Sequence, residues 1–203
     1  MSVSAQRRQR RSIRLRGYDY TRAGAYFLTI CARGRECLFG EVAEGTVRLS
    51  DSGRAVEAAW HGLPEHYPHV DLDAFVVMPN HVHGIIVLSD PDVGAGLKPA
   101  PTENAVVEMD RAGLKPAPTG THHGLPEIVR AFKTFSARRI NALRGTPGVP
   151  VWQRNYYEHI VRDDDDLARI REYIANNPIG WGGDRENPAN AGRVERFPDE
   201  DAP

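Results

Sequence analysis

Hydrophobic and polar positions alternate in distinct modes along this chain. AYFLTICAR (Ala25–Arg33) is a dense run of β-branched and aromatic residues and predicts a buried strand. CLFGEVAEGTVRLS (Cys37–Ser50) predicts a short hairpin turning at Glu44-Gly45. Ser50 or Asp51 then caps a helix over SGRAVEAAWHGLPEHY, where Val56, Ala59, Trp60 and Leu63 recur at helical spacing. VDLDAFVVMP and HVHGIIVLS follow as two apolar strands, and the turn residues Pro79-Asn80 between them predict an antiparallel hairpin.

The pattern then collapses into Gly, Pro and small residues from Asp90 to His123. It returns as an amphipathic helix in GLPEIVRAFKTFSARRINALR, with Ile128, Phe132, Phe135 and Ile140 on its apolar stripe. VWQRNYYEHIVR reads as a strand. DDDDLARIREYIANNP reads as a helix whose acidic start suits the helix dipole and whose end is set at Pro178. Strand, hairpin, helix, two strands, helix, strand and helix in that order predict an α+β fold, a central antiparallel β-sheet covered by helices.

Composition adds bounds. With 203 residues, 40% of them hydrophobic, the chain suits one globular domain with a full core. Net charge is −1, so the overall balance points to no partner, but its distribution is uneven. Arg7, Arg8, Arg10, Arg11, Arg14 and Arg16 form a basic N-terminal arm, and the C-terminal RFPDEDAP is acidic. Such an arm is either a nucleic-acid contact or a solvated end. Cys31 and Cys37 form no Cys-x-x-Cys pair and suggest no disulfide framework. The sequence has no apolar run of about 20 residues and no secretory signal, so a cytoplasmic protein without membrane contact is expected.

Two segments carry candidate chemistry. In MPNHVHGIIV, His81 and His83 are two apart on a strand, so both imidazoles project from one face while Val82 faces the core. Two convergent imidazoles on a rigid strand suit a divalent metal; the same spacing also suits a pair of half-buried structural histidines. In REYIANNP, Tyr173 and Asn177 are four apart and share a helix face. Tyr173 is either a core residue or, beside a metal, a nucleophile toward phosphorus. Asn177 either supplies a neutral oxygen ligand or helps end the helix. The acidic run Asp163–Asp166 fits a helix N-terminal cluster better than a hydrolase metal site.

FVVMPNHVHGIIVL followed by VWQRNYYEHIVRDDDDLARIREYIANNP resembles the single-tyrosine HUH transposases, and within them the REP-associated tyrosine transposase branch. The likeness runs from about Arg14 to Trp181, apart from the Gly/Pro-rich stretch. It implies a ferredoxin- or RRM-like HUH nuclease sandwich that cuts and rejoins single-stranded DNA with Mg²⁺ or Mn²⁺. By that resemblance His81, His83 and Asn177 bind the metal, and Tyr173 forms a 5′-phosphotyrosine. The implied substrate is a REP-like DNA hairpin with a GTAG guide. The six arginines of the arm, with Arg130, Lys133, Arg138 and Arg154, would hold its backbone, and Trp152, Tyr156 or Tyr157 would stack on bases. The same likeness also admits a domesticated protein that binds hairpins without cutting, acting as a monomer or a homodimer.

The expected organisation is a basic arm over 1–23, a catalytic domain over 24–181 and a tail over 182–203. An inserted loop over 90–123 carries AGLKPAPT twice, at Ala95–Thr102 and Ala112–Thr119. A structureless loop of that length is unusual in a compact domain. The first copy extends to VGAGLKPAPT, whose codons GTN GGN GCN GGN TTG AAR CCN GCN CCN ACN are self-complementary about their centre at the first two positions. The repeat is therefore expected to be a translated DNA hairpin lodged in the gene, with simple tandem duplication as its rival. Pairing of the third-position bases in the gene decides between them.

Overall fold

The structure is a computed structural model that describes residues 17–89, 123–184 and 186–190. The arginine arm up to Arg16, and the 90–123 stretch apart from His123, lie outside the described residues.

Among the described residues, six strands and four α-helices occur in the order β1 (Gly24–Cys31), β2 (Gly40–Ala43), β3 (Thr46–Leu49), α1 (Asp51–His61), α2 (Leu63–His66), β4 (Val70–Val77), β5 (His81–Leu88), α3 (Leu125–Arg144), β6 (Tyr157–Ile160) and α4 (Asp164–Gly180). The main sheet has the order β4-β5-β1-β6, and every neighbouring pair in it is antiparallel. Setting aside the β2–β3 hairpin and short α2, this is the β-α-β-β-α-β arrangement of ferredoxin-like folds, with α4 added at its end. The α+β sheet-and-helix expectation therefore holds. Among the described residues no helix is long and apolar enough to cross a membrane.

Local chemistry explains the boundaries. Glu44 and Gly45 have φ of 54° and 71°, the two left-handed residues of a type I′ turn that joins β2 to β3. Ser50 caps α1, its hydroxyl accepting from the Gly53 amide at 3.1 Å. The single helix expected to Tyr67 is instead two, because Pro64 has no amide to continue the ladder and the chain breaks at Gly62. The strand expected from Val151 is also shorter. Trp152 makes one isolated bridge to Ala32. The carbonyls of Gln153 and Asn155 accept from Lys133 Nζ, each at 3.0 Å, rather than from a neighbouring strand.

The sheet separates two apolar layers. Leu28, Ile30, Val82 and Ile86 face α1 and α3, where Val56, Trp60, Ile128 and Phe132 complete the main core. Phe27 and Ile85 face the other way, against Ile174 of α4. A face of β5 therefore carries His81, His83 and Ile85 into the layer that α4 covers.

Candidate active site

His81 and His83 stand near the start of β5, paired across the sheet with Cys31 and Thr29 of β1. Both imidazoles are almost wholly buried, at 0% and 2% exposure. Each has its Nδ1 engaged from behind. Asn80 Oδ1 lies 2.8 Å from His81 Nδ1, while the Asn80 amide donates to the carbonyls of Arg35 and Glu186 at 3.1 and 2.7 Å. That amide orientation forces Oδ1 toward His81, so His81 carries its proton on Nδ1 and leaves the Nε2 lone pair open. Thr29 Oγ1 sits 2.9 Å from His83 Nδ1.

The two Nε2 atoms face each other at 2.9 Å. Two nitrogens each about 2.1 Å from one ion, at a right angle, lie about 3.0 Å apart. Burial depresses the basicity of both rings, that of His81 to about 3 with the charge of Arg35 adding to the effect, and that of His83 well below the usual value. Both are therefore neutral at physiological pH, the form a metal requires.

Helix α4 lies across this face. Asp163 caps it by accepting from the Asp166 amide at 2.8 Å. Asp166 accepts from His159 of β6 and from the Arg162 amide, at 2.8 and 3.1 Å. Arg171 grips Asp73 of β4 with two contacts of 2.8 and 2.5 Å, which holds Asp73 below the usual carboxylate range. These ties fix the rotation of α4 and so aim Tyr173 and Asn177. Tyr173 Oη lies 3.3 Å from His83 Nε2, and the ring packs edge-on to Phe27 and His83. Asn177 touches both His81 and Tyr173, yet its Oδ1 is buried with no hydrogen-bond partner. An open cleft of about 350 Å³ lies beside Tyr173, Asn176, Asn177, Gly180, Gly183 and Asp184. Tyr173 is 42% exposed and lines that cleft. Burial, then the charge of Asp184, pushes its phenol up to about 12.

The structure thus brings together all four residues singled out for chemistry: His81, His83, Tyr173 and Asn177. It adds one the sequence reading missed. A carboxylate oxygen of Asp184 and the ring nitrogens of His81 and His83 lie within 4.8 Å of one another. The facing Nε2 atoms of two neutral imidazoles, with buried and unpartnered oxygens on an amide and a carboxylate, fit a divalent cation.

No family model matches the chain. An uncharacterized protein of Haemophilus influenzae is 42% identical over 179 residues, which cover 87% of this chain and 92% of that protein. A second protein of the same organism, described as a REP-associated tyrosine transposase, is 26% identical over 164 residues, 81% of this chain and 75% of that one. A solved REP-associated tyrosine transposase bound to a REP hairpin superposes with a TM-score of 0.51 at 19% identity, covering 81% of this chain and 72% of the other. Over about four-fifths of its length the chain is thus similar to REP-associated tyrosine transposases.

The described basic residues expected to hold DNA lie on α3 and the segment that follows it. Arg130, Lys133 and Arg154 line a groove of about 720 Å³ between α3 and the 150–156 segment, in the helix layer opposite α4. Arg138 is exposed on α3 but does not line that groove. Trp152, considered as a base-stacking residue, is instead core: it is 8% exposed and its indole donates to Ser136 Oγ at 2.9 Å. Tyr156 is half-buried beneath Lys133, and Tyr157 is exposed near Phe27.

Proposed function

We propose that this chain is a divalent-metal-dependent transposase that cuts and rejoins single-stranded hairpin DNA through a covalent phosphotyrosine at Tyr173. The observation that carries this reading is the approach of the Tyr173 hydroxyl, beside an open cleft, to 3.3 Å from one of two facing, neutral, buried imidazoles. In the cutting step Tyr173 Oη attacks phosphorus. An O–P bond to tyrosine forms, the P–O3′ bond breaks, and the leaving 3′-oxygen takes up the proton that balances the one lost from the phenol. Joining is the reverse, with a 3′-hydroxyl attacking the 5′-phosphotyrosine. One phosphodiester is exchanged for another, so no nucleotide cofactor is needed.

His81, His83 and Asn177 would hold Mg²⁺ or Mn²⁺, which withdraws charge from a phosphate oxygen and favours the phenolate. That help matters because a phenol at about 12 is ionised in roughly one molecule in 10⁵ at pH 7. Asn80 and Thr29 hold the two rings with Nε2 turned to the site, and the Asp73–Arg171 pair keeps α4 in register above them.

The solved relative is bound to a REP hairpin; we extend that substrate class to this chain and add the GTAG guide that the sequence resemblance implies. Arg130, Arg138 and Arg154, with the N-terminal arm, suit contacts to the phosphate backbone. Lys133, already committed to two carbonyls, suits holding the 150–156 segment. The test is a gel-shift beside a cleavage assay on single-stranded hairpin DNA with Mn²⁺. Tyr173→Phe is expected to abolish the covalent adduct while hairpin binding persists, and His81→Ala/His83→Ala to remove metal-dependent cutting. An adduct that persists in Tyr173→Phe removes Tyr173 as nucleophile. Tight hairpin binding with no cutting by the natural sequence favours the domesticated binder.

A further inference from the structure

After α4 the chain does not leave the domain. It turns through a short 3₁₀ segment, Trp181–Gly183, and doubles back over the histidines. The turn is tightly self-bonded. Asn187 donates from its amide nitrogen to Asp184 O at 3.1 Å and from its side chain to Trp181 O at 2.9 Å. Asn190 donates to the carbonyls of Gly182 and Asp184 at 2.9 and 3.0 Å.

Within this turn the two oxygens of Asp184 differ. Oδ1 accepts from the Glu186 amide at 2.8 Å. Oδ2 is buried, has no hydrogen-bond partner, and points at His81 Nε2 from 3.7 Å. At that distance the contact is too long for a hydrogen bond. A buried carboxylate oxygen facing a lone pair is unfavourable unless something positive sits between them.

The turn is also clasped to the sheet. The Glu186 carboxylate pairs with Arg35 at 3.1 Å and accepts from the Cys31 thiol at 3.3 Å. The Glu186 carbonyl accepts from the same Asn80 amide that orients His81. The clasp and the histidine thus share one support.

We propose that Asp184 is the anionic ligand of the cation held by His81 and His83, so that cation binding and docking of the post-α4 turn on the sheet form one coupled equilibrium. This rests on the metal site proposed above and deepens it. Two imidazoles and a neutral amide favour softer ions. A carboxylate oxygen shifts the set toward Mg²⁺ and Mn²⁺ and neutralises half the ion's charge. The coupling is reciprocal: whatever loosens the clasp weakens the ion, and the ion tightens the clasp.

The experiment uses the full chain and Mn²⁺, followed by calorimetry and by amide hydrogen exchange of peptides covering 181–190. Asp184→Asn and Asp184→Ala are expected to weaken Mn²⁺ binding about tenfold or more. Glu186→Ala, which leaves Asp184 in place, is expected to weaken it on the order of fivefold. Mn²⁺ slows exchange across the turn in the natural sequence and does not in Asp184→Asn. The exchange measurement on the natural sequence needs no variant to fold. Natural Mn²⁺ affinity in both Asp184 variants, or exchange in the turn unmoved by saturating Mn²⁺, overturns the proposal. If His81→Ala/His83→Ala loses Mn²⁺ while the Asp184 variants keep it, the metal site stands and only the Asp184 assignment falls. If the natural sequence binds no Mn²⁺, both fall.

Discussion

Gly84 follows the histidine pair directly, and its missing side chain makes room for the core beneath the site. A Cβ there would lie 2.5 and 2.8 Å from Cζ2 and Cη2 of Trp60 and 2.9 Å from Cδ2 of Phe75. Carbon atoms at rest sit about 3.5–4.0 Å apart, so the indole would have to retreat by about 1 Å. It has nowhere to go. Trp60 is fully buried, stacked on Phe75 at 4.5 Å and set edge-on against Phe132 at 5.4 Å. Overpacking of this kind costs about 1–3 kcal/mol. The stiffer unfolded chain of an alanine variant returns about 0.4–1 kcal/mol.

Gly84→Ala is therefore expected to destabilise by about 1–2 kcal/mol, lowering Tm by roughly 3–8 °C in a domain this size. Thermal unfolding followed by circular dichroism checks it. The decisive control is the same substitution in a Trp60→Phe background. The smaller ring removes the clashing atoms and also the buried indole nitrogen, which has no hydrogen-bond partner. Gly84→Ala should cost much less there, since only the Phe75 Cδ2 contact at 2.9 Å remains and the vacated indole space lets that ring shift. Equal losses in the two backgrounds would refute the steric account, as would a Gly84→Ala protein as stable as its parent.

Two further outcomes follow from the same geometry. His81 and His83 have basicities depressed in the fold, so the unfolded chain binds protons below about pH 6.5 that the native state refuses. Without divalent cation, stability is then full above that pH and falls by about 1 kcal/mol per pH unit per histidine as acid is added. Urea titrations between pH 6.5 and 5, above the range of the carboxylates, should show this slope in the natural sequence and lose it in His81→Asn/His83→Asn. A flat profile in the natural sequence would mean that the rings are solvated. Lys133→Met should lower stability by about 1 kcal/mol by stripping the donor from two carbonyls, while the salt dependence of hairpin binding stays unchanged. A slope reduced by about one would instead make Lys133 a phosphate contact.

How much of this was legible in the sequence depended on whether the deciding interaction was local. The I′ turn at Glu44-Gly45, the Ser50 cap and the period-two placement of His81 and His83 opposite Val82 are set by neighbours within a few residues, and the pattern shows them. Trp152 is different. It reads as part of a strand and a stacking surface, yet a serine 16 residues earlier and the aromatic cluster of Phe39 and Phe132 take it into the core. The carbonyls beside it are claimed by Lys133, which shortens β6 to four residues. Neither event leaves a periodic trace.

Asp184 was hidden by a single misplaced boundary. A proline at position 178 predicts the end of α4, which would leave everything past Trp181 as tail. The helix instead runs to Gly180, since a proline in its last turn forfeits little more than the one bond to the Ile174 carbonyl. Two more helical residues carry the chain about 3 Å onward and swing it by about 200°. That swing reverses the side of α4 from which the chain departs. The 3₁₀ turn then starts above the histidines, and the carboxylate three residues beyond Trp181 reaches His81. An acidic residue in an acidic C-terminal stretch has no signal of its own. Its position relative to β5 is fixed by where the helix stops and by the Glu186–Arg35 clasp, whose partners are about 150 residues apart.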